Sequence, residues 1–144
     1  MKKILFTLAA FALTNFAIAQ NKIADVAQFK AETIDLGTIK VGNATTATFH
    51  VTNIGKTPLI IETATPTCGC TIGDYTKAPI APGKSGTITA TYSAASVDPN
   101  FTKTMTVKFV GVDEVKSITI KGAVLSEADY AKAKPSAPLQ KKKS

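Results

Sequence analysis

Thr46-Ala47-Thr48-Phe49-His50-Val51-Thr52 is the stretch that decides the fold class. Ala47, Phe49 and Val51 alternate with threonines and a histidine, a period of two. Successive side chains of a β-strand point to opposite faces, so this run sets one apolar face against a core and one polar face in water. The same rhythm returns downstream. Ile88, Ala90 and Tyr92 alternate with Thr87, Thr89 and Thr91; Met105, Val107 and Phe109 alternate with Thr104, Thr106 and Lys108; Ile118 and Ile120 flank Thr119 before Lys121. Between Phe29 and Leu125 no window carries a sustained apolar set at helical spacing.

Turn chemistry punctuates these runs at Val41-Gly42-Asn43, Asn53-Ile54-Gly55-Lys56, Ala81-Pro82-Gly83-Lys84, Val97-Asp98-Pro99-Asn100 and Gly111-Val112-Asp113-Glu114. Pro82-Gly83 suits the central pair of a type II turn, where proline sets the first φ and glycine accepts a positive second one. The expectation is an all-β antiparallel β-sandwich of about seven strands, near 29–36, 46–52, 58–64, 70–72, 87–92, 101–110 and 115–124. Leu36, Phe49, Leu59, Ile61, Tyr92 and Phe109 are expected to point inward, into one core between two sheets.

The ends read differently. Lys2 and Lys3 precede an apolar run from Ile4 to Leu13, and Ala17-Ile18-Ala19 suits cleavage before Gln20, so residues 1–19 are expected to be a signal peptide. That run is too short for a membrane-spanning helix, which needs about 20 apolar residues, and no cysteine at the cleavage site offers a lipid anchor. Residues 20–28 read as an N-terminal spacer, and residues 29–125 as one domain. Residues 126–144, rich in Ala, Lys, Pro and Ser, read as a disordered tail in which Ser126-Glu127-Ala128-Asp129 could cap a short helix ended before Pro135. The expected product is exported to the periplasm or secreted, with no transmembrane anchor.

The chain of 144 residues carries 17 lysines and no arginine against 10 acidic residues, for a net charge of +7. Five of those lysines lie in residues 126–144, so much of the basic excess is a property of the tail. Dedicated contacts to phosphate or guanine favour the bidentate arginine fork, so nucleic acid is not expected as a partner. A flat array from the Thr-x-Thr repeats could order water or bind glycans, although exposed strand faces favour threonine in any case.

Three strings carry a resemblance: Thr52-Asn53-Ile54-Gly55-Lys56-Thr57-Pro58-Leu59-Ile60-Ile61, then Cys68-Gly69-Cys70-Thr71, then Ile80-Ala81-Pro82-Gly83-Lys84-Ser85-Gly86, with Gly122-Ala123-Val124 closing the pattern. Together they resemble the bacterial domain-of-unknown-function family 1573, whose members look like hydin-type and major-sperm-protein-type immunoglobulin-like modules. The resemblance spans about Phe29 to Leu125. Ile54 departs from it, since members often carry a small polar residue there. It implies an immunoglobulin-like sandwich in an exported bacterial protein, and it implies no activity.

Cys68 and Cys70, the only two cysteines, are the one concentration of reactive chemistry. As a structural staple their disulfide would be weak: closing a loop of about three residues removes only some 1.6 kcal/mol of unfolded-chain entropy. Residues two apart on an extended strand are also separated by roughly 6.6 Å, whereas a disulfide wants Cβ atoms about 3.8 Å apart, so the bond would be strained unless Gly69 kinks the chain. A strained disulfide in an oxidising compartment is readily exchanged, but Thr67 and Thr71 bring no charge to activate a thiolate, and Asp74 opposes one. Two thiolates could instead hold Cu(I), while a structural zinc site needs four ligands and His50, expected to face outward, is the only imidazole. A Cys–His dyad and paired carboxylates both lack supporting spacing.

The sequence therefore points to a non-enzymatic binding or structural module with no catalytic residue and no cofactor, whose partner is a protein or cell-surface polymer. The alternative is a thiol-disulfide redox or Cu(I)-binding protein centred on Cys68, Gly69, Cys70 and Thr71.

Overall fold

A computed structural model describes residues 22–69 and 71–133. The expected signal peptide, the tail beyond Ala133, and Cys70 lie outside the described residues. Eight strands are present among them: β1 (Ala27–Phe29), β2 (Thr33–Lys40), β3 (Thr45–Asn53), β4 (Ile61–Pro66), β5 (Thr71–Tyr75), β6 (Ser85–Tyr92), β7 (Asp98–Phe109) and β8 (Val115–Leu125). They form two four-stranded sheets, ordered β1-β3-β6-β5 and β2-β8-β7-β4. The architecture is an immunoglobulin-like β-sandwich.

Alternation explains the core. Along β3 the residues Ala47, Phe49, Val51 and Asn53 are buried while His50 is exposed, and β3 pairs with β6 so that Phe49 lies opposite Ile88. From the other sheet Phe101, Val107, Phe109, Ile118, Ile120 and Val124 close on these side chains, each at 2% exposure or less. Every residue expected to point inward, from Leu36 to Phe109, is buried. Each large side chain contributes about 1.5–3 kcal/mol by leaving water, so this interface dominates stability.

The strand expected at 29–36 is two strands in different sheets. β1 pairs antiparallel with β3, and β2 pairs parallel with β8, which makes the sandwich mixed rather than wholly antiparallel. The reason is parity: Phe29 and Leu36 are an odd number of residues apart, so one straight strand could not bury both. Within three residues the chain crosses over, from Lys30 N–H donating to His50 O to Thr119 N–H donating to Glu32 O. A second parity break, between Leu36 and Ile39, is absorbed by a bulge where the β2–β8 register shifts. Gly37 takes φ +66° there, and its N–H donates to Asp35 Oδ1 at 2.8 Å.

Other boundaries also move. β4 begins at Ile61, with Leu59 reaching Ile80 by an isolated bridge. The turn expected at 97–100 is the irregular start of β7, where the register against β8 shifts between Asp98 and Phe101. The spacer is structured: α1 (Ile23–Val26) leads into β1, and Ile23 and Ala27 are buried. The first part of the expected disordered tail is α2 (Glu127–Lys132), capped by Ser126 Oγ accepting from Asp129 N–H at 3.1 Å and tied to β2 by the Lys40–Glu127 ion pair.

Candidate functional site

The Cys68 segment bridges the two sheets. β4 is the edge of one sheet and β5 the edge of the other, and the connection between them is only four residues long. Thr67 extends the β4–β7 pairing, its N–H and its Oγ1 both donating to Thr104 O at 3.0 and 2.9 Å. Cys68 is half-buried and disulfide-bonded, and the chain's only other cysteine is Cys70. Cys68 Sγ lies 3.7 Å from Thr71 Oγ1. Thr71 is buried and stands opposite Tyr92 in the β5–β6 register. Gly69 is exposed, and a side chain there would meet nothing within 4 Å.

Beneath this link Tyr92 stacks on Phe101, with ring centroids 4.2 Å apart, and Lys103 Nζ lies 5.8 Å from the Tyr92 ring. Burial, and then the charge of Asp98, push the Tyr92 hydroxyl above its ordinary pKa of 10.0. The base of the Cys68 link is thus a packed aromatic platform. His50 stands apart from it on the outer face of the β1-β3-β6-β5 sheet, opposite Thr87, beside a shallow depression of about 530 Å³ lined also by Gln28, Lys30 and Thr52. Two strands and several residues separate His50 from Cys68, so the fold does not assemble them into a dyad. Among the described residues no group of three or more His, Cys, Asp or Glu side chains stands close enough to hold a metal ion.

The opposite end of the sandwich is organised by one side chain. Asn53 is fully buried at the inward parity that Ala47, Phe49 and Val51 set up. Its Nδ2 donates to Thr57 O and to Ile80 O, both at 2.7 Å, and its Oδ1 accepts from Gly55 N–H at 2.9 Å. Its backbone adds two more links, with Asn53 N–H donating to Lys84 O and Asn53 O accepting from Gly83 N–H. The 81–84 turn is the expected type II, closed by Lys84 N–H to Ala81 O at 2.9 Å with Gly83 at φ +76°. A single amide therefore locks the 53–57 and 80–84 loops to each other. In the sequence it is visible as a lone polar residue continuing a row of core positions.

Beside these loops lies an open groove of about 820 Å³ between α1–β1 and the start of β8. Ile23, Ala27, Phe29, Ile54 and Val115 give it apolar walls, and Glu32, Asp113, Glu114 and Lys116 form its rim. Ile54 and Val115 are 47% and 57% exposed. Ile23 N–H donates to Glu114 Oε2 at 2.9 Å, which fastens α1 across the groove's end, and Lys116 pairs with Glu32 at 2.5 Å. Sequence reasoning missed this groove because its walls come from three segments far apart in the sequence, residues 23–29, Ile54 and Val115.

The family model described as "Protein of unknown function (DUF1573)" matches residues 27–124, nearly the whole sandwich. Among solved structures, the chain is similar to a protein of unknown function from Porphyromonas gingivalis W83 at 17% identity and TM-score 0.57, covering 68% of this chain and 46% of that one. It is similar to the ASH/PapD-like domain 7 of human CEP192 at 10% identity and TM-score 0.56, covering 87% of this chain and 99% of that one. It is also similar to the Vibrio cholerae VesB protease at 16% identity and TM-score 0.55, covering 71% of this chain and 33% of that one. At these identities the likeness is one of fold, and this chain spans less than half of the Porphyromonas protein and a third of the protease. No curated protein matches the chain.

Proposed function

From the premise that this chain belongs to the DUF1573 family, we propose that it is an exported, non-enzymatic immunoglobulin-like module, periplasmic or secreted, that binds a protein or a cell-surface polymer. The observation that carries this reading is the loop pair locked by Asn53 beside an open apolar groove. Loops that are already ordered lose little conformational entropy when a partner arrives, which is what a binding surface requires. The signal-like segment at residues 1–19 supports export.

Two measurements test this. Intact mass of the cell-made protein is expected to begin at Gln20; retention of Met1–Ala19 overturns export. A photocrosslinking amino acid placed in turn at exposed positions on both sheet faces and both loop ends is expected to give discrete adducts from one contiguous surface. No adduct at any position overturns the binding role.

A second reading is supported by Cys68 being disulfide-bonded and half-exposed: the Cys68-Gly69-Cys70-Thr71 motif exchanges its disulfide with an external thiol. In this state it offers no thiolate for Cu(I), so copper uptake would require prior two-electron reduction. Intact mass with thiol alkylation, before and after a glutathione titration, tests it. A pair that stays oxidised at reducing poise sinks the exchange reading.

A further inference from the structure

The geometry points to the groove between β1 and the start of β8 as the docking site for an extended cationic peptide. This rests on the binding-module reading and names both the surface and the chemistry of its partner.

The backbone of β1 supplies the first reason. Val26 O accepts from Ile54 N–H and Lys30 N–H donates to His50 O, so the alternate residues of β1 face β3. In an antiparallel ladder the residues between them turn their polar groups the other way. Ala27 donates its N–H to Ile23 O, which leaves Ala27 C=O and both polar groups of Phe29 at an edge where no strand stands among the described residues. An extended segment laid there gains main-chain hydrogen bonds by strand addition.

Charge supplies the second. The rim carries Glu32, Asp113 and Glu114 against Lys116 alone, within a protein of net charge +7. Lys116 is engaged by Glu32, and one oxygen of Glu114 by the backbone of Ile23. The carboxylate of Asp113 is exposed and makes no ion pair or hydrogen bond among the described residues. This rim attracts a Lys or Arg side chain and repels an acidic one. Because successive residues of a strand alternate in direction, a peptide alternating Lys with a β-branched residue can set its apolar side chains against Ile54 and Val115 while its cations face the rim.

The test uses the full chain and two acetylated, amidated probes, Lys-Val-Lys-Val-Lys and Glu-Val-Glu-Val-Glu, titrated while backbone amide resonances are followed. The lysine probe is expected to shift the amides of residues 27–30, 54 and 113–116, and raising salt is expected to weaken it. Asp113→Lys and Val115→Lys, both at exposed positions, are each expected to weaken it at least tenfold. Equal binding of the glutamate probe, undiminished binding by both variants, or no shift at millimolar probe overturns the proposal. Shifts clustered elsewhere, or self-association through the groove that the lysine probe does not displace, overturn the groove assignment and leave the module reading standing. That reading falls only if the crosslinking series yields no adduct.

Discussion

At the Asn53 end of the sandwich two loops are joined by five hydrogen bonds radiating from one fully buried residue. At the Cys68 end a four-residue link crosses from sheet to sheet on two bonds from Thr67 to a single carbonyl and on the disulfide of Cys68. Both ends lie within the stretch that the family model matches, yet the physical roles differ. The polar network specifies a loop geometry, since one side-chain amide serves a carbonyl in each of the two loops. The covalent link closes so short a loop that it constrains the unfolded chain very little.

Asn53→Ala attacks the first end and carries the largest expected effect. It removes three side-chain bonds and leaves Thr57 O and Gly55 N–H without their partner, so a loss of about 3 kcal/mol is expected in urea unfolding. A loss below about 1 kcal/mol would mean that the loops hold themselves and that the contrast between the ends is false. Gly122→Ala probes packing under the second end. An added Cβ would stand 2.6 Å from Gly37 O and 2.9 Å from Phe101 Cζ, and overpacking of this kind costs about 1–3 kcal/mol. Native-like stability in this variant would show that the Phe101–Tyr92 platform yields easily.

Replacing both cysteines by serine is expected to cost no more than about 1.6 kcal/mol, the entropy of the small loop. A larger drop in the urea midpoint would make the link a structural element in its own right and equalise the two ends. Tyr92 sharpens the same end through pH. Its pKa is raised in the fold, so its contribution is intact below the ordinary value of 10.0 and declines as pH rises through the folded-state value; spectrophotometric titration should show a tyrosine ionising above 10.0, and Tyr92→Phe should remove that step. The smallest effect belongs to Glu127. Lys40 holds its carboxyl below the usual range, so the pair persists above that range and is lost as pH falls through the lowered value, but it is solvent-exposed and Glu127→Gln is expected to leave the thermal midpoint unmoved.

Strand parity made the core legible: Ala47-Phe49-Val51, Ile88-Ala90-Tyr92 and Met105-Val107-Phe109 all face inward as the alternation demanded. The same parity contained the division between β1 and β2, since Phe29, Leu36 and Ile39 cannot share a face of one regular strand, but the partner of each half is a tertiary fact that local pattern does not encode. Pro82-Gly83 announced its turn because proline fixes φ and glycine readily accepts the positive φ that follows. Asn53 did not announce its hydrogen bonds, because its partners Thr57 and Ile80 are distant or unremarkable in sequence. At the motif end, Cys68 and Thr71 do come together while His50 stands elsewhere, a separation that the outward phase of His50 already implied. The groove was illegible because residues 23–29, 54 and 113–116 meet only after both sheets have formed.

The parallel pairing of β2 with β8 couples two strands far apart in the sequence. β8 is an inner strand of its sheet, with β2 on one side and β7 on the other, so Thr33 finds its register partner only when Thr119 is available. Until the final strand is synthesised, β2 has no neighbour and β7 and β4 form an open ribbon. Such topology favours slow, late folding over stepwise growth from the N-terminus. The β1-β3-β6-β5 sheet does not contain β8, so strand order alone lets one half of the sandwich assemble while the other half waits for a strand from far along the chain.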